Sequence, residues 1–461
     1  MKFLIKYSLL LPLIILLISS CQKLDVSSPN DVPSSEVFKN ADGLRSAVIG
    51  MYSTMQVRDY YGAFYPLMAD LNSDAITQGG YDVSALNEIG QHAINSTNIY
   101  AEHMYVAMYK TIATANAILQ SVDVLTDAGI AADERKTIKA QALAIRAMAH
   151  FDLLRMFGYH WDLSSPLGIP LSLKVQESKD ILARSTVADS YTAIIKDLVT
   201  ANGLMPQTFL DPKYANAIFI KALLARVYLY KKDMVSAADF AGQVITNGTF
   251  NLLDANTFPT IYSGRLSAES IFELSFDAQN QSAFNGTTYV RPEALRTEVF
   301  FLASQNLNTF FTARPDDKRS MLVDFVNNDA GIMPDGRSLK YRGEVTKDNP
   351  AYMMRIAEMY LIAAEAKGLA GGGLTFLNQL RTNRGMAGLQ VADVPDNASF
   401  IQAVLDERLS ELNFEGHRFF DLARYQKIKE VLGVSNQNAV FPIPLRELKA
   451  TNQQVTQNPG F

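Results

Sequence analysis

Cysteine is nearly missing from this chain: Cys21 is the only one in 461 residues. No intramolecular disulfide can form, so stability must come from a core. Long hydrophobic runs are missing too. Residues 9–18 are apolar apart from Pro12, too short for a membrane-spanning helix, which needs about 20 residues. Later apolar stretches are all interrupted by charged or amide side chains. An excess of positive charge is lacking: 42 Lys and Arg face 47 Asp and Glu, which argues against nucleic acid as a partner. Tryptophan occurs once, at Trp161. The five histidines, His92, His103, His150, His160 and His417, include no helical metal pair. HExxH, CxxC and GxSxG are absent, and no glycine-rich segment leads into Lys-Ser or Lys-Thr. Gly371, Gly372 and Gly373 suit a flexible helix connection better than a phosphate cradle. Nothing calls for a cofactor or a metal.

What is present begins with the ends of that short apolar run. Lys2 and Lys6 precede it, and Ser19, Ser20 and Cys21 follow, the layout of a secretory signal peptide. Ile18-Ser19-Ser20-Cys21 resembles the lipobox of bacterial lipoproteins. The resemblance implies cleavage before Cys21, a diacylglycerol on its sulfur and an acylated amino group. Two or more acyl chains suffice for stable anchoring, where one is marginal. Cleavage removes two lysines, leaving 40 cations against 47 acids. Residues 22–35, rich in Ser, Pro, Asn and Asp, read as a tether between lipid and body. The expected layout is a signal peptide at 1–20, a tether at 21–35, and helical parts at 36–250 and 251–461 packed as one body.

The body reads as mainly α-helical. Asn40 looks like an N-cap, with Leu44, Ala47, Val48, Met51, Tyr52 and Met55 on one stripe behind it. Tyr100, Met104, Met108, Ile112, Ala115, Leu119 and Val122 form a second stripe. Ile138, Ala142, Ile145, Ala149 and Met156 form a third, ending at Gly158. The short turn at 126–133 predicts antiparallel packing of the last two helices. Further helices are predicted at 187–204, 214–231, 234–246, 351–367, 374–383 and 399–424. Residues 271–276 alternate like a short strand. Residues 58–98 and 250–349 lack helical periodicity and read as long insertions, where function concentrates.

A degenerate repeat underlies the helices. Residues 142–147 align with 222–227, and 351–370 carry a looser third copy. Small residues at helical spacing let helices approach closely, and the pairing resembles tetratricopeptide repeats.

One cluster looks chemical. Glu407, Arg408, Glu411, Glu415, Arg418, Asp421 and Arg424 crowd one helical region. Glu411 and Glu415 raise the alternative of an acid–base pair for glycoside hydrolysis. Charges alternating at spacings of three and four favour ion pairs within and between helices instead, with no catalytic role.

The same residues carry a family resemblance. Glu407-Arg408, the run 411–418 and Asp421-Leu422-Ala423-Arg424 resemble the ERxxELxFEGxRxxDLxR signature of SusD/RagB-like outer-membrane lipoproteins. Residues 355–366 are similar to that family's RxAEMYLIxAEA helix. Leu377, Asn378, Leu380, Arg381, Arg384 and Gly385 are similar to its LNxLRxRxG segment. The helix ending at Gly158 and the FPIP and QNPGF runs of the tail follow in family order. Tyr425 departs from the commoner Trp, and Thr382-Asn383 from the usual RxRAG run.

The resemblance implies a tetratricopeptide-like helix-pair scaffold with long irregular insertions and minor β structure. It implies a non-enzymatic lipoprotein of the outer membrane, facing outside. Such a protein binds oligosaccharide, or peptide in some branches, and closes like a lid over a SusC-like TonB-dependent transporter. Sugars present apolar C–H faces rimmed by hydroxyls, so aromatic and planar polar side chains in the insertions are the candidate contacts. These are Tyr61, Tyr65, Asn72, Asp74, Gln78 and Tyr81 in the first insertion, the lone Trp161, and Gln279, Phe284, Tyr289 and Arg291 in the second.

Overall fold

The structure is a computed structural model that describes residues 38–79, 83–177, 179–283, 301–325, 336–341 and 348–461. Cys21 and the tether lie outside the described residues. Helix α1 (Ala41–Gln56) starts where Asn40 accepts a hydrogen bond from the Gly43 amide, as its side chain predicts. Next come α2 (Phe64–Leu71), β1 (Ile76–Gln78) and α3 (Ser84–Gly90). The long hairpin of α4 (Ile99–Val122) and α5 (Ala132–Phe157) follows, with Gly158 ending α5. Helices α6 (Val187–Leu204), α7 (Ala217–Tyr230) and α8 (Met234–Asn247) complete the first half.

The second half is less regular. It holds α9 (Thr260–Ser263), β2 (Ser270–Leu274), β3 (Phe301–Ala303), α10 (Gln305–Thr312), β4 (Val323–Asp324), β5 (Arg337–Ser338) and β6 (Ala351–Arg355). It closes with α11 (Ile356–Lys367), α12 (Gly373–Thr382), α13 (Asn397–Leu412), α14 (Arg418–Arg424), α15 (Ile428–Leu432) and α16 (Leu445–Ala450). The strands pair in three antiparallel two-stranded ladders: β1 with β3, β2 with β6, and β4 with β5.

Helix pairs form the scaffold. In α5, Ala142, Ala144, Ala147 and Ala149 are fully buried, and Ala222 and Ala225 repeat this in α7. The aligned copies also share a buried arginine with the same job. Arg146 forks onto Asp197 of α6 at 2.7 Å through Nε and Nη2. Arg226 forks onto Glu358 of α11, with Nε at 2.7 Å. Each repeat arginine thus ties its helix to a later one, a bidentate geometry that lysine could not supply. One apolar cluster runs from Ala41 to Val455, and a smaller one joins α11, α12 and α13 around Leu361, Leu377 and Phe400.

Three expectations need correction. Residues 58–98 are not an open insertion: α2 and α3 lie in them, and every residue of α2 is buried. Their aromatic and polar composition hides a core because the hydroxyls are satisfied internally. Residues 351–355 form β6, not helix; they are buried and pair with β2, also buried along its length. The alternation read at 271–276 is therefore not a solvent face. The helix read at 399–424 is two helices. Phe414 and Gly416 take φ of 61° and 79°, which break it. A Cβ on Gly416 would stand 2.5 Å from Pro66 Cα, so glycine serves both the left-handed turn and the close approach of α2.

Candidate functional site: a small β patch carried by a buried ion network

The charges after α12 turn inward. Glu411 is 2% exposed. It accepts from Arg384 Nε at 2.9 Å, Arg355 Nη1 at 2.8 Å and Arg319 Nη1 at 3.2 Å. Glu415 takes Arg355 Nε at 3.0 Å and Lys340 Nζ at 2.7 Å. Glu407 bridges Arg319 and Arg381. Glu269 holds Arg384 at 2.8 Å, and Asp317 holds Arg319 at 2.7 Å. Five cations (Arg319, Lys340, Arg355, Arg381, Arg384) thus meet five carboxylates. Burial opposes the charge on Glu411, but Arg384, Arg355 and Arg319 outweigh it and hold its carboxyl well below the usual range.

This is the ion network expected of Glu407, Arg408, Glu411, Glu415, Arg418, Asp421 and Arg424, but its wiring differs. Arg408 pairs with Asp421 at 2.7 Å rather than with Glu411, and of the spacings on the signature only Asp421–Arg424 at 2.9 Å closes within one helix. Arg424 also forks onto Glu365. The missed partners Arg355, Arg381 and Arg384 stood in the flanking motifs; Glu269, Asp317, Arg319 and Lys340 gave no local signal. Glu411 and Glu415 are both buried and both bonded to cations, which fits an ion network rather than an acid–base pair.

The network carries a small β patch. Arg418, at the start of α14, reaches Asp74 with Nε at 2.7 Å and Nη2 at 2.9 Å. Asp70, fully buried, accepts the Gly416 amide at 3.0 Å and the Arg418 amide at 3.2 Å. Burial pushes its carboxyl up to about 7, against the pull of those two amides. Asp70 and Asp74 thus fasten the segment leading into β1 to the signature turn. Strand β1 pairs with β3 in the register Ile76↔Ala303 and Gln78↔Phe301. The Ser304 amide reaches Ala75 O at 3.0 Å, and the Ala303 amide reaches Gly336 O at 2.7 Å. Arg337 pairs with Asp324 at 2.8 Å across β4 and β5. The patch thereby gathers chain positions 76–79, 301–304, 323–325 and 336–338.

The candidate contacts divide sharply. Tyr61 and Tyr65 belong to the core: with Tyr60 they donate to Asp152 at 2.6–3.0 Å, and Arg155 closes the group at 2.6 Å. Neither ring is open to a ligand. Asn72 is buried and bonds His92 Nδ1 at 2.8 Å. Asp74 is spent on Arg418. Gln78 is half-buried on β1, at the patch. Gln279 is exposed in a loop that Asn280 pins to Gln56 at 2.7 Å. Trp161 is half-buried and stands edge-on to Tyr159 and His160. Tyr81, Phe284, Tyr289 and Arg291 lie outside the described residues. Three surface clefts stand apart from the patch, of about 730, 420 and 340 Å³. Among the described residues, no helix is long and apolar enough to cross a membrane.

Two family models match. One, SusD-like and described as starch-binding associating with outer membrane, covers residues 23–229; the other, the SusD family, covers residues 322–440. SusD-like protein P2 of Formosa agariphila is 24% identical, over 99% of this chain and 100% of its own length. A SusD superfamily protein from Bacteroides vulgatus superposes with a TM-score of 0.79 at 26% identity, covering 92% of this chain and 99% of that one. A laminarin-binding SusD-like protein superposes with a TM-score of 0.74 at 24% identity, covering 92% and 100%.

Proposed function

Because the chain belongs to the SusD/RagB-like family, we propose that it is a surface lipoprotein of the outer membrane that captures a glycan and passes it to a SusC-like TonB-dependent transporter. The observation that carries this reading is the division of labour in the polar residues. The signature spends its charges on largely buried partners elsewhere in the fold, so it reads as scaffold. The ligand then falls to the β patch that this scaffold holds up, where Gln78 is half-buried on β1, with Tyr81, Tyr289 and Arg291 as candidate contacts from the sequence. Planar polar and aromatic groups on a preorganised support suit sugar hydroxyls and C–H faces. Lipid on Cys21 would hold one end at the membrane. Residues 22–35 would give the slack for the body to swing like a lid over its transporter.

Calorimetry of the chain lacking residues 1–21 against a glycan panel tests the ligand. Binding to at least one glycan is expected; binding only to oligopeptides would replace glycan with peptide. Cys21→Ala should release the protein from membranes and leave its affinity in solution intact. Loss of affinity with that change would refute the tether role.

A further inference from the structure

The 730 Å³ cleft lies between the loop before α4 and the tail of the chain. Its polar lining includes Ser96, Asn452, Gln453 and Thr456, with the Gln457 amide turned to the Ile443 backbone, and among the described residues Lys449 is the only charged side chain on it. No residue of the β patch or of the ion network takes part. Amides and hydroxyls both donate and accept, as sugar hydroxyls do. Leu445, Leu448, Val455 and the Phe461 ring supply apolar surface for a C–H face. The volume falls within the range of small-ligand sites, about 300–1,000 Å³.

The backbone gives an independent sign. Two consecutive residues, Asn452 and Gln453, take left-handed φ of 48° and 62°. They end α16 by returning their amides to Lys449 O at 3.2 Å and Leu448 O at 2.8 Å. Glycine holds such positions at lower cost, and this chain uses it elsewhere: α8 ends on Gly248 and α15 on Gly433, both at φ near 74°. At α16 the chain keeps two exposed amides instead, in a conformation that glycine would hold with less strain. Strain retained beside a polar cleft points to a use for the side chains.

The cleft is also held in shape. Gln457 clamps the Ile443 amide at 2.8 Å and its carbonyl at 2.9 Å. Asn458 donates to Phe157 O and Phe441 O, and Arg184 donates to Thr456 O at 2.9 Å. A preformed site loses little entropy on binding.

We propose that this cleft is a second glycan subsite, for a neutral oligosaccharide, separate from the β patch. It rests on the glycan reading above. The test is calorimetry of the soluble chain with neutral trisaccharides of α- and β-linked glucose, mannose and xylose. It compares the wild type with Asn452→Gly/Gln453→Gly, which removes both amides while suiting the left-handed backbone. The expected result is two equivalents bound by the wild type and one by the variant, or at least a tenfold loss at one of two sites, with Tm unchanged or higher. One equivalent in both proteins at equal affinity overturns the subsite and leaves the β patch reading standing. A chain that binds no glycan in either form overturns both.

Discussion

Around Glu411 and at the β patch, two polar regions of one molecule use polarity in opposite ways. Around Glu411, five cations and five carboxylates are buried and bonded to one another. At the patch, short ladders are held by backbone bonds and by Asp70, Asp74 and Ser304, and Gln78 is half-buried on β1. Dense buried charge therefore marks where the fold is fixed, and the short strands fastened to it are the proposed place of recognition. A motif rich in acids and bases says little about what this protein holds.

The comparison breaks first at Glu411. Glu411→Ala leaves Arg319, Arg355 and Arg384 buried without their shared acceptor, at a cost of about 3–5 kcal/mol in urea unfolding. A loss under about 1 kcal/mol would mean that the network is not what fixes the fold.

Asp70 links the two regions, and its pH dependence has a definite sign. Its folded pKa of about 7 lies above the unfolded value of 3.8. Its contribution is thus fully present below about pH 4 and is lost as pH rises through 7, on the order of 4 kcal/mol over that window. Glu411, Glu358 and Asp421 run the other way: their depressed pKa values supply stability that is lost as pH falls. The difference in Tm between Asp70→Asn and wild type, measured at pH 4, 6 and 8, should therefore move in favour of the variant as pH rises. A flat difference would mean that Asp70 is ionised throughout.

Gly416→Ala puts a Cβ against Pro66 in a left-handed turn, and should cost about 3 kcal/mol by chemical denaturation. Arg418→Ala is the mildest change to the fold, about 1–2 kcal/mol, since it removes one partly buried ion pair. It should weaken glycan binding about tenfold by calorimetry, because Asp74 then no longer steadies the segment into β1. Unchanged affinity would uncouple the patch from the signature turn.

Much of the fold was legible in the chain. The N-cap at Asn40, the boundaries of α6 and the stop at Gly158 follow local rules of capping and periodicity. The family motifs named Arg355, Arg381 and Arg384 before their partners were known. What stayed hidden was long-range. Tyr61 and Tyr65 read as open aromatics because Asp152, the acceptor that buries them, lies about ninety residues away. Lys340 and Arg319 joined the network with no local pattern to announce them. Residues 351–355 continue smoothly into a helix in sequence; only pairing with β2 makes them a strand. The candidate contacts were chosen by residue type, and residue type does not distinguish a ring that stacks on sugar from one that fills a core.

Hydrogen exchange with and without a bound glycan tests most directly the claim that the signature is scaffold and the β patch is the binding face. The prediction is slowed exchange in peptides covering residues 76–83 and 279–303, with none in 407–424. Protection centred on 407–424, with none at the patch, would contradict it.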